Sequence, residues 1–234
     1  MKRLMDWCLA HYRATTAIMV AFTLVLALLA ALPSVWSEAF PRLHGVQVDT
    51  DPENMLPATE PVRVFNNEMK AEFALYDMLV VGIVNERAPD YVFNPATLRD
   101  IHELTAYART LHGAAVGRPD DPKAGVIGVD IIAPSTVDNV EQGGLGTVSF
   151  EWLMPEPPAT PEAARAVRDK AMKLPFMKGT LVSEDGQSIA LYIPLSDKHL
   201  SFRVASLLRA KIAAFDTGDE YHITGLPIAE DTFG

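Results

Sequence analysis

The chain has a single cysteine, Cys8, in 234 residues, so it can form no internal disulfide and its folding cannot depend on oxidation. A lone cysteine at the end of an apolar helix is a small packing residue unless its surroundings activate it. Basic residues are also scarce. Twenty Lys and Arg against 30 Asp and Glu leave a formal net charge of -10, which excludes a phosphate-neutralising surface and nucleic acid as a partner. The glycine-rich stretch Gly143-Gly144-Leu145-Gly146 lacks the Gly-Lys-Ser/Thr ending of a phosphate loop, and a plain turn is expected there. Asp49, Asp51 and Glu53 alternate as in a calcium loop without its glycine or distant glutamate, and serve better as caps and solvated turn residues. His102-Glu103 would need a second histidine at a position held by Ala106, and His112 falls on a different part of the helix. No Gly-x-Ser-x-Gly elbow stands between a strand and a helix. The expectation is therefore no catalytic, cofactor-binding or metal-ligating residue, no cofactor and no enzyme. Substrate-binding residues cannot be assigned from the sequence.

What the chain does have is a long uncharged run. At 49% hydrophobic and 21% charged it can bury a real core, yet residues 14–37 contain no charge at all and Ala17 to Leu32 is almost wholly aliphatic. At ~1.5 Å per residue such a helix spans a hydrocarbon core of about 30 Å with some tilt. Lys2, Arg3 and Arg13 precede it, which predicts a cytoplasmic N-terminus over 1–13, and Trp7, Tyr12 and Trp36 sit where interfacial aromatics belong. A cleaved secretory signal would use the small-x-small site Ser37-Glu38-Ala39, but the apolar core is too long for one and Trp36 with Glu38 make a poor approach. A membrane anchor over 14–37 is the better reading, with 38–234 outside the cytoplasm.

Beyond it, residues 40–57 read as extended, with Val46, Val48 and Thr50 alternating before Asp51-Pro52. Thr59 and Pro61 open a helix on which Val62, Phe65, Met69 and Phe73 share a face, a stripe expected in the core although it could line a lipid or drug pocket. Residues 78–84 form an apolar run of strand length, expected at the centre of a sheet with both faces nearly covered. Asn94-Pro95 starts a second helix with Leu98, Ile101, Leu104, Ala108 and Leu111 on one side and Gly113 at its end, and 126–132 reads as the next strand. A similar unit follows, with a strand at 188–194, a helix burying Leu200, Val204, Leu207, Leu208 and Ile212, and a strand at 221–224. The expected fold class is thus α+β, one N-terminal transmembrane helix and then a ferredoxin-like, split βαβ domain. Its units are 76–133 and 179–225, with an insertion over 134–178 that holds the glycine-rich turn, a strand at 148–153 and a helix from Thr160-Pro161.

This order, with the stretches 49–57 (DTDPENMLP), 76–86 (YDMLVVGIVNE), 134–139 (PSTVDN) and 224–234 (TGLPIAEDTFG), resembles the start of resistance-nodulation-division (RND) exporters. The branch is the one related to the mycobacterial membrane protein large group. The resemblance implies a first porter domain over 38–234 of a proton-driven inner-membrane exporter of lipophilic or amphiphilic substrates. The proton-relay acids would lie on later membrane helices, so this sequence is expected to be the N-terminal part of a longer chain. Implied partners are the lipid bilayer, the remainder of the transporter chain, a lipophilic substrate and, as an option, a homo-oligomer. The rival readings are a free-standing anchored module that binds a hydrophobic ligand or a protein, and an anchored enzyme.

Overall fold

The computed structural model describes residues 2–35, 52–142, 144 and 146–233, in two units, 1–49 and 50–234. Of the stretch expected to be extended at 40–57, residues 40–51 lie outside the described residues, as do Trp36, the cleavage-like site at 37–39 and the acids Asp49 and Asp51; its described part departs from the expectation, with a 3-10 turn at Pro52–Met55.

The first unit holds α1 (Lys2–Ala10) and α2 (Tyr12–Val35). Residues 12–32 of α2 have a mean hydropathy of 2.4 and none of them is buried, so this helix is long and apolar enough to cross a membrane. Its threonine hydroxyls are accommodated internally. Thr15, Thr16 and Thr23 donate to the carbonyls of His11, Tyr12 and Met19, one turn back, at 3.2, 2.9 and 2.9 Å, which leaves them independent of water. That α1 is helical was not foreseen; Trp7 stacks on His11 across its end, with ring centroids 5.2 Å apart.

The second unit mixes helix and sheet. After a 3-10 turn at Pro52–Met55 come α3 (Pro61–Glu72), β1 (Asp77–Val84), α4 (Pro95–Ala108), β2 (Asp138–Gln142) and β3 (Val148–Trp152). They are followed by α5 (Pro161–Lys173), β4 (Ser188–Leu195), α6 (Ser201–Ile212), β5 (Glu220–Thr224) and α7 (Leu226–Phe233). The main sheet is antiparallel in the order β4-β1-β5. Period-two alternation puts Leu79, Val81 and Ile83 of β1 beside Ile193, Leu191 and Ile189 of β4, all buried. They share one core with Leu98, Ile101 and Leu104 of α4 and Val204 and Leu208 of α6. On the opposite face Val80, Gly82 and Val84 are only half-buried, so the central strand is fully covered on one side, not two.

The expected strand at 126–132 is replaced by two isolated bridges to β4, Val126 with Leu195 and Ile132 with Tyr192. The cause is Pro194. The outward backbone N–H groups along β4 and just past its end, at Ala190, Tyr192 and Ser196, donate to the carbonyls of Leu181, Ile132 and Gly125. Pro194 occupies the alternate position between Tyr192 and Ser196 and has no N–H to give. There the outer chain leaves the ladder and turns, with Asp130 N–H donating to the Ile127 carbonyl and Val129 87% exposed.

The α3 stripe also departs from expectation. No residue of α3 is buried; Val62, Phe65 and, just past its end, Phe73 are 67, 60 and 65% exposed, with Met69 half-buried. The helix is amphipathic as its spacing requires, but among the described residues no element packs extensively on that face. Its N-cap is Glu60, which makes no side-chain capping bond, not Thr59. The 148–153 strand has its partner in β2, a polar segment that gave no strand signal, and α5 starts as expected with Thr160 accepting from Ala163 N–H.

Candidate functional site

Where β1 ends, α4 begins and the chain enters β5, a polar network fastens the three together. It starts from the α4 cap. Asn94 accepts from the backbone N–H of Ala96 and Thr97 at 3.0 and 2.9 Å, satisfying donors that have no intrahelical partner. Its amide donates to the Thr97 hydroxyl at 2.8 Å, and that hydroxyl donates onward to Asp219 Oδ1 at 3.0 Å. Asn85, just beyond β1, donates to the same oxygen at 2.5 Å while its own Oδ1 accepts from the backbone of Arg87 and Ala88. Asp219 is therefore the hub, and bonds to a charged acceptor are the stronger kind.

A second carboxyl lies close by. Asp100 is one turn along α4, and alternation into β5 brings Thr217 and Tyr221 to the same side as Asp219. Burial is the main influence pushing the Asp100 carboxyl above its ordinary value of 3.8; the Asp219 and Glu103 charges push the same way, while Thr217 and Arg99 oppose. Burial likewise raises the Tyr221 phenol. The Thr217 hydroxyl neighbours both, but in neither case is the geometry that of a good hydrogen bond. Asp100 Oδ2, Thr217 Oγ1, Asp219 Oδ2 and Tyr221 Oη are buried without a partner.

A cleft of about 390 Å³ opens beside this network, lined by Arg99, Asp100, Glu103, Lys211, Phe215 and Thr217 among others. Lys211 is already engaged: it pairs with Glu103 and stands 5.9 and 5.5 Å from the Tyr107 and Phe215 ring centroids. The lining mixes charged groups with the apolar Ala96, Ala214 and Phe215. The arrangement fastens helix to sheet.

The residues singled out in the sequence are scattered. Glu103 is at the cleft, His102 is half-buried on α4, and exposed His112 lies against the Pro122 carbonyl at 3.2 Å. Among the described residues no three His, Cys, Asp or Glu side chains gather to hold a metal ion. Gly144 and Gly146 belong to the β2–β3 connection, where Thr147 N–H bonds back to Gly144; Gly143 and Leu145 lie outside the described residues. Only Asn94, recognised as a cap, gave any advance sign of the network, because its other members are joined across more than a hundred positions of chain.

The Asp100→Asn variant tests the electrostatics. A carboxyl with a raised folded-state pKa adds stability below its unfolded value, and that contribution is lost as pH rises through the folded value. Removing the charge should therefore raise the melting temperature at pH 7 by about 1–3 °C, a figure discounted for the group's partial exposure. At pH 3 the gain should vanish. Melts in detergent at the two pH values measure this, and a gain equal at both would refute it.

No family model matches the chain, and no curated protein matches it.

Proposed function

We propose that this chain is the N-terminal part of a proton-driven RND-type exporter of lipophilic or amphiphilic substrates. In this reading α2 is the first membrane helix, with Lys2, Arg3 and Arg13 on the cytoplasmic side. Residues 38–234 form the first porter domain, ferredoxin-like and periplasmic. The observation that carries the proposal is the strand order. Reading from β5 through β1 and β4 to the bridged segment 126–132 gives the sequence of neighbours that two split βαβ units require, behind a helix able to span a bilayer. The domain supplies shape and hinge surface and no chemistry, since proton coupling needs acids buried within membrane helices.

Sequencing the coding locus past the Gly234 codon tests this. A frame that continues into several apolar helices, one with an acid near its middle, is the expected result. An immediate stop would sink the exporter reading. It would favour an anchored module that binds a hydrophobic partner, to which the exposed Val62, Phe65 and Phe73 stripe is suited.

A further inference from the structure

The β2–β3 hairpin is a two-stranded sheet of its own, and such a ribbon is marginally stable without a further strand or a covering element. Every residue of β3 is exposed. Val148, Phe150 and Trp152 project from one face with exposures of 56, 74 and 47%, and Val140, the partner of Phe150 in the hairpin, is 49% exposed. Ser149 and Glu151 take the other face. Among the described residues no backbone hydrogen bond reaches the outer edge of β3, which makes it an open template for another strand.

We propose that this edge pairs with the same strand of a second copy of the chain, antiparallel and centred on Phe150. The pattern of β3 is self-complementary about that residue. A two-fold contact sets Val148 against Trp152 of the partner and Ser149 against Glu151, so apolar meets apolar and no acid directly opposes an acid. A slip of one residue would put Phe150 against Glu151 and mix the two faces, so the register is well specified. Glu151 is further offset by Lys170, 4.0 Å away. The edge of β2 is less suited, since it carries both Asp138 and Glu141 in five residues. An anionic lipid surface is a poor occupant for a hairpin with these acids on a chain of net charge -10. The pairing joins two ribbons into one four-stranded sheet whose two central strands carry an apolar stripe, flanked on each β2 by Val140 between the polar Asp138 and Gln142.

Five residues of edge bury less than the roughly 1,000 Å² expected of a stable interface. The proposal therefore rests in part on the anchor reading, because chains held in one bilayer meet at a raised effective concentration. Paired positions in an antiparallel ladder have Cα atoms about 4.5–5.5 Å apart, within disulfide reach.

The test replaces Cys8 by Ser and places a new thiol at Phe150→Cys or, in a separate chain, at Ser149→Cys, with membranes treated with a mild oxidant. The Phe150→Cys chain should yield at least fivefold more species of twice the monomer mass than the Ser149→Cys chain. Equal low yields, or capture of a different protein at position 150, would overturn the pairing. A Phe150→Lys variant should lose dimer in amine cross-linking yet melt at an unchanged temperature, which separates pairing from folding. Carbonate extraction of the same membranes reads the anchor by itself. If the chain washes off, the anchor reading has failed, and the comparison is repeated on the washed chain at ~100 μM. A preference for position 150 there upholds the pairing, and its absence overturns it.

Discussion

Substituting Arg for Leu26 will shift a large part of the protein from the membrane pellet to the carbonate-soluble fraction. The magnitude follows from what the span has in hand. Ile18, Val20, Phe22, Leu24, Val25, Leu26, Leu28, Leu29 and Leu32 each favour insertion by ~0.3–0.6 kcal/mol, together about 3–5 kcal/mol. An arginine at the centre costs ~2.5–3.5 kcal/mol and also removes the contribution of Leu26. The balance falls close to zero, so roughly half the chains should fail to insert. Retention equal to the parent protein would show that α2 is not what holds this chain in a bilayer. Leu9→Arg, on exposed α1, is the control and should leave the fractionation unchanged.

A large loss of stability is expected from Gly225→Ala, between β5 and α7. Gly225 has φ of +138°, and a Cβ there would come within 2.4 Å of the Met78 carbonyl oxygen and 3.3 Å of Leu79 Cα. These are backbone atoms of the central strand, which cannot step aside as a flexible side chain can. Strain at such a backbone conformation costs ~1–3 kcal/mol before any overlap, and overlap in a packed core adds about 1–3 kcal/mol more. A melting temperature lower by roughly 4–24 °C is expected for a domain of this size. The contrast is Gly218→Ala, where φ is +69° but nothing lies within 4 Å. It should lose only the strain, about 2–4 °C per kcal/mol. Equal losses at the two sites would mean that contact with β1 is not what demands a glycine at 225.

How far this architecture can be read from residues alone depends on the range of the interaction responsible. Features set within a few positions were readable. The uncharged run became α2, Asn94-Pro95 opened α4, Thr160-Pro161 opened α5, and the apolar runs at 78–84 and 188–194 became paired strands. Features set by a distant partner were not. Residues 126–132 have a strand's composition, but their hydrogen bonds depend on Pro194, more than sixty positions later. The stripe on α3 tells which residues share a face and nothing about what covers it. The strand character of residues 138–142 is invisible without the apolar strand that pairs with them. The Asn85, Thr97, Asp219 network is the extreme case, because none of its members is unusual until the fold brings them within 3.0 Å.

The position of β1 in its sheet also has a cost in time. It is the middle strand, bonded to both neighbours, yet it leaves the ribosome first, about a hundred residues ahead of β4 and further still ahead of β5. At ~5–20 residues per second, Met78 to Val84 waits about 5–20 s before either partner exists. Throughout that interval the most apolar strand of the domain is a nascent segment with two open edges. A chaperone that shields it during translation, or a pause-free message between Val84 and Ser188, should therefore raise the yield of folded protein without changing the stability of the finished sheet.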